Sequence, residues 1–218
     1  MYTVFVIGNI ASGKSTATRY LESRGARRID LDELAKSLYV PGSDLVSALA
    51  ETFGRDILDT DGSIIPARLA QHAFSSHEQT ERLNALVHPA LKQRLADQLV
   101  PDACCCATPA SYPLMVIEVS VPRSVEDMFP LVDEVLAIHA PYDVRRERAC
   151  ARGLLPEQFE ARAAAQPTDD ELCAMASFVI DNTQGDDTLF RALDAWVDSR
   201  GIRGLIHADS PQQSVSFE

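Results

Sequence analysis

One short string constrains this chain more than any other: Gly8-Asn9-Ile10-Ala11-Ser12-Gly13-Lys14-Ser15. It fits G-x-x-x-x-G-K-[ST] and stands between a β-branched, aromatic run from Tyr2 to Ile7 and a helical stretch from about Gly13 to Arg24. Strand, glycine turn and helix in that order give the pattern a physical meaning. Glycines let the backbone wrap closely around phosphate oxygens, and the following helix points its unpaired N–H groups at them. Gly8, Asn9, Ile10, Ala11, Ser12 and Gly13 would form the cradle. Lys14 would reach the β- and γ-phosphates of ATP, Ser15 would hold Mg2+, and Thr16 would add a hydroxyl contact. The competing reading is a glycine turn with no ligand.

The rest of the chain alternates strand and helix signals. Arg27 to Asp30 reads as a second strand, with Leu114 to Val119, Glu134 to Ile138 and Phe178 to Ile180 as further strands. Helices are expected over Tyr142 to Arg152, Pro156 to Gln166 and about Asp187 to Ser199. Alternation of this kind predicts an α/β fold with a parallel sheet flanked by helices. From Asp44 to Val100 the apolar spacing is helical instead, with Pro89 predicting a new helix after His88. The expected segments are a P-loop core over 1–43, 101–147 and 173–200, a helical insertion over 44–100, a further helical segment over 148–172 and a tail over 201–218. The polar end from Ser210 to Glu218 is expected to be mobile.

A formal net charge of −12 argues against a broad nucleic-acid or anionic-membrane footprint, so an anionic ligand must be captured locally. The first apolar run ends at Gly8, too soon for a signal peptide or a membrane span, which predicts a cytoplasmic protein. Cys104, Cys105 and Cys106 are consecutive and have neither disulfide nor zinc spacing, so reduced thiols are expected. A monomer is expected.

A P-loop alone does not separate a hydrolase, a switch and a small-molecule kinase. Asp30-Leu31-Asp32 follows the second strand, where a carboxylate could accept the proton of an attacking hydroxyl. Either aspartate could instead cap the helix beginning near Leu31. Arg148 and Arg152, four residues apart, share a helical face that could equally be a solvated one. His88 could simply end a helix, and Asn182 could be an ordinary turn residue.

Taken in order, these segments resemble the dephospho-coenzyme A kinase family from about Thr3 to Asn182. After Gly8 to Thr16 come Ile29-Asp30-Leu31-Asp32-Glu33-Leu34-Ala35-Lys36, Val40-Pro41-Gly42, Phe53-Gly54, Asp61-Gly62 and Leu83 to Pro89, then Ala165-Gln166 and Val179 to Asn182. The resemblance implies a P-loop NTPase fold and ATP-dependent phosphorylation of the ribose 3′-hydroxyl of the small-molecule substrate dephospho-CoA. It implies that Asp32 is the catalytic aspartate and that Lys14 stabilises the transferring group. It further implies that the helical insertion binds the CoA precursor, with Lys36, His88 and Pro89 on the substrate side. It assigns the role of a lid to 148–172, where Arg148 and Arg152 would stand, and puts Asn182 near the nucleotide base.

The chain departs from the family pattern in several places, one of them Pro66, near which an arginine is common. Val121-Pro122-Arg123-Ser124 replaces an apolar Val-Pro-Leu-Leu, so Arg123 could contact the acceptor or bind an extra phosphate. Pro167-Thr168-Asp169-Asp170-Glu171 follows Gln166, where basic residues are common, and would repel ATP phosphates unless it starts a helix. Another nucleoside or small-molecule kinase, and a catalytically weak nucleotide-binding protein, are the alternatives.

Overall fold

A computed structural model describes residues 1–99 and 112–205. The cysteine triplet and the 210–218 end lie outside the described residues, as does most of the expected 101–113 connection. The chain folds as two compact units, one of residues 1–29, 112–122 and 129–205, the other of 30–99 and 123–128.

The first unit is built on a five-stranded sheet in the order β2-β3-β1-β4-β5, with β1 Tyr2–Ile7, β2 Arg27–Asp30, β3 Leu114–Val119, β4 Glu134–His139 and β5 Phe178–Asp181. β1 pairs in parallel with β3 and β4, and β4 with β5. Val4, Phe5, Val6 and Ile7 are all fully buried, as expected of a central parallel strand covered on both faces. α1 Lys14–Ser23 and α9 Asp186–Ser199 cover one face through Ala17, Leu21, Leu189, Leu193 and Trp196. The strand order reverses at β1, so the residues after Ile7 leave the sheet at its topological switch point, where such folds bind ligands.

Between β4 and β5 lie α6 Tyr142–Ala151, α7 Pro156–Ala164 and α8 Asp169–Met175. α7 stops two residues short of the expected Gln166 because Pro167 disfavours a helical residue before it. The acidic segment proves to be a helix start. Thr168 Oγ1 accepts the Glu171 N–H at 3.2 Å and Glu171 Oε2 accepts the Thr168 N–H at 2.9 Å, a reciprocal cap.

Glu134, buried at the start of β4, anchors the opposite end of the sheet. It accepts from Tyr2 Oη at 2.9 Å, Trp196 Nε1 at 3.0 Å and Arg200 Nη2 at 2.6 Å. Burial alone would raise its carboxyl, but these hydrogen bonds outweigh that and hold it below the usual range. A depressed carboxylate adds stability above its unfolded pKa and loses it as pH falls through the folded value. Glu134→Gln is therefore expected to cost about 2 kcal/mol at neutral pH, and the gap from the parent should close on acidification. Urea titrations of both proteins across pH check this, and a gap that widens in acid would refute it.

The second unit is helical: α2 Leu31–Ser37, α3 Asp44–Phe53, α4 Pro66–Ala73 and α5 His77–Leu99. Leu49, Phe53, Ile57, Leu69, Ala73 and Val87 form its core, and α2 packs on α5. This unit begins at Asp30 rather than at 44 and takes in 123–128. The expected break at Pro89 is absent. α5 runs through it without interruption. Proline removes one backbone hydrogen bond, but the buried Val87, Leu91 and Leu95 anchor the turns on either side, and packing outweighs the local defect.

Candidate active site

The glycine loop follows the central strand at Gly8. Ala11 has φ of 60° and Gly13 of 101°, both left-handed, and Ser12 N–H closes a turn on the Asn9 carbonyl at 3.1 Å. A Cβ at Gly13 would stand 2.2 Å from Asn182 Nδ2, and one at Gly8 would stand 2.5 Å from Ser12 Oγ and 2.8 Å from the Ile138 carbonyl. Both glycines are thus required by close approach. α1 starts at Lys14 with no side-chain cap and no acidic residue in its first turn, so its first N–H groups remain available to an anion.

Lys14 and Ser15 converge on Glu118, which no motif marked in the sequence. The Ser15 hydroxyl donates to Glu118 Oε1, and Lys14 Nζ lies 3.8 Å from the same oxygen. Thr18 Oγ1 at 2.8 Å and Arg28 Nη2 at 2.7 Å donate to Oε2. Burial alone would raise this carboxyl, but the hydrogen bonds from Ser15, Arg28 and Thr18 and the charge of Lys14 hold it low and ionised. The only signal in the sequence was one acid inside the otherwise apolar strand Leu114-Met115-Val116-Ile117-Glu118-Val119. Thr16, in the first turn of α1, is half-buried.

Asn182 is buried, and its side-chain amide donates to the Ser12 carbonyl at 2.8 Å, so it braces the loop directly. Its own carbonyl accepts from Arg148 Nη2 at 2.8 Å. Arg152 closes the C-terminal end of α6 and is exposed.

In the second unit the two aspartates separate into different roles. Asp30 is the N-cap of α2, accepting the N–H groups of Asp32 at 3.0 Å and Glu33 at 3.3 Å. Asp32 is exposed and lines a cavity of about 730 Å³ together with Lys36, Tyr39, Pro66, Leu69 and Phe74. Asp32 and Lys36 share one face of α2 by their i, i+4 spacing. The wall beyond them is mainly apolar. His88 and Pro89 lie on α5, and burial, with Lys92 next, pushes the His88 imidazole down, favouring its neutral form. Arg123 is exposed in the 123–128 segment.

The family model for CoaE, dephospho-CoA kinase, matches residues 2–187. The chain belongs to the dephospho-CoA kinase family. The dephospho-CoA kinase of Corynebacterium diphtheriae is 35% identical over 199 residues, covering 90% of this chain and 96% of that protein. That of Anaeromyxobacter dehalogenans is 34% identical over 213 residues, covering 97% and 98%. The crystal structure of TT1252 from Thermus thermophilus superposes with a TM-score of 0.70 at 29% identity, covering 91% of this chain and 97% of that one.

Within this dephospho-CoA kinase family member, the acidic departure after Gln166 has an internal partner. Arg145, 4% exposed, donates through Nη2 to Asp169 Oδ1 at 2.9 Å. That pairing removes much of the repulsion toward phosphate that the sequence predicts for Asp169.

Proposed function

We propose that this dephospho-CoA kinase family member transfers the γ-phosphoryl group of ATP to the ribose 3′-hydroxyl of dephospho-CoA, giving CoA and ADP. The observation that carries the reading is the convergence of Lys14 and Ser15 on Glu118 beside an uncapped helix N-terminus. Uncapped N–H groups and Lys14 suit the triphosphate, and Lys14 would offset charge on the transferring group. The Ser15 hydroxyl and the ionised Glu118 carboxylate are hard oxygen donors of the kind Mg2+ takes alongside substrate phosphates. When bound, Mg2+ would supply positive charge to offset the negative charge developing on the transferring group.

Asp32 would accept the proton of the attacking hydroxyl and orient its oxygen for in-line displacement. The mainly apolar cavity beside it suits the less polar parts of the acceptor, with Lys36 placed to meet an acceptor phosphate. Residues 44–100 would serve acceptor binding, with His88, Pro89 and Arg123 as substrate-side residues. Residues 148–172 would act as the lid, with Arg148, Arg152 and Asn182 on the nucleotide side. No helix among the described residues is long and apolar enough to cross a membrane. A cytoplasmic monomer that binds no nucleic acid fits the reading and the net charge of −12.

The test is transfer of labelled γ-phosphate from ATP to dephospho-CoA with Mg2+, with adenosine and nucleoside monophosphates as competing acceptors. Selective labelling of the 3′-hydroxyl is expected. Preferential labelling of a competitor would replace the acceptor, and ATP binding without transfer would favour a degenerate nucleotide-binding protein.

A further inference from the structure

The phosphate loop is not held in shape by its own residues alone. Ala11 keeps a left-handed backbone, which a non-glycine residue retains only when its surroundings over-determine it. Asn182 braces one side of the loop. The other side is held by the link between α7 and α8. There the Ile10 N–H donates to Gln166 Oε1 at 2.7 Å, and Asn9 Nδ2 donates to the Pro167 carbonyl at 3.1 Å and to Asp169 Oδ1 at 2.9 Å. Asn9 is 4% exposed, so these bonds are shielded from competing water.

Asp169 is itself fixed. Arg145 donates to it through Nη2 and to the Ala140 carbonyl through Nε at 2.9 Å, while His139 Nε2 stands 3.8 Å from its other oxygen. A cavity of about 400 Å³ opens beside Asn9, Arg145, Gln166 and Asp169. Directional hydrogen bonds, rather than close apolar packing, therefore set the distance between this link and the loop.

We infer that Gln166 and Asp169 are positioning residues for nucleotide binding: through Ile10 and Asn9 they shape the first half of the phosphate loop, so the grip on ATP depends on segment 166–169 staying latched. The inference rests on the reading of the loop as the ATP site. Charge alone predicts the opposite sign at Asp169. Its removal frees the positive charge of Arg145 and would strengthen ATP binding if position did not matter.

The experiment measures ATP dissociation constants and the KM for each substrate in Gln166→Ala, Asn9→Ala, Asp169→Ala and Asp169→Asn, with melting temperatures. Gln166→Ala, which removes one half-buried hydrogen bond to the loop, should weaken ATP binding about tenfold, and Asn9→Ala, which removes two, at least as much, while the KM for dephospho-CoA moves less than about twofold. Asp169→Ala should also weaken ATP binding. Asp169→Asn keeps the acceptor for Asn9 and should restore it. The double variant Asn9→Ala with Asp169→Ala should lose less than the sum of the two singles, since the Asn9–Asp169 bond is lost in each. Equal losses for the two substrates, additive losses, or an Asp169→Ala protein that binds ATP more tightly would overturn the inference. If Asp169→Ala does not fold, Gln166→Ala leaves the Arg145 pair intact and decides the matter. A parent protein that bound no ATP would remove the reading of the loop and the inference with it, whereas parental binding with unchanged variants removes the inference alone.

Discussion

Asp32→Asn is expected to lower kcat about 10²–10⁴-fold while ATP affinity changes by less than about twofold. The two neighbouring aspartates make this a clean comparison. Asp30 commits its carboxylate to two backbone N–H groups at the start of α2, whereas Asp32 lines the mainly apolar cavity. Asparagine preserves the size of the side chain and a polar first turn, so α2 should keep its place. What disappears is the proton acceptor. Asp30→Asn, which retains a good capping residue, should leave kcat near the parental value and serves as the paired control. Single-turnover transfer to dephospho-CoA at saturating ATP reads the effect directly. Unchanged turnover in Asp32→Asn would exclude it as the base, and a matching loss in both variants would point to the placement of α2 instead.

Local patterns made much of the sheet readable in the sequence. β1, β2 and β3 match the expected runs residue for residue: β1 and β3 are mainly apolar or β-branched stretches beside a glycine and a proline, while the short β2, Arg27-Arg28-Ile29-Asp30, was placed by the strand-helix-strand order. The phosphate loop was readable for a related reason: close approach to Ser12 and the Ile138 carbonyl at Gly8, and to Asn182 at Gly13, demands glycine at fixed positions. Features set by distant partners were not readable. α5 crosses Pro89 because of what Val87, Leu91 and Leu95 pack against, and helix propensity carries no record of that. The acidic run after Gln166 looked like a repeller of phosphate. Within it the Asp169 carboxylate pairs with Arg145, placed 24 residues earlier on another helix, and Glu171 caps α8 through the Thr168 N–H. Family resemblance put Asn182 near the nucleotide base, whereas its hydrogen bond to the Ser12 carbonyl needed the fold.

Glu118 is the largest omission from the sequence reading, and its removal is expected to be correspondingly severe. Its two oxygens join Ser15 and Thr18 of α1, Arg28 of β2 and the Lys14 ammonium at one buried point. Glutamine has the same outline but carries one amide donor and no charge. Arg28 would then lose its anion in a buried setting, and Lys14 and Ser15 would lose the group that orients them. Glu118→Gln should therefore cost about 3–5 kcal/mol of stability, as removal of one partner from a buried ion pair does. Adding Arg28→Met should recover part of that loss, because the orphaned charge goes with it, whereas independent sites would give additive losses. Turnover separates the catalytic from the structural share. At a temperature where the double variant is folded, kcat should remain at least about tenfold below the parent, since neither substitution restores the carboxylate beside Ser15. A double variant that regained both stability and full turnover would reduce Glu118 to the counter-ion of Arg28.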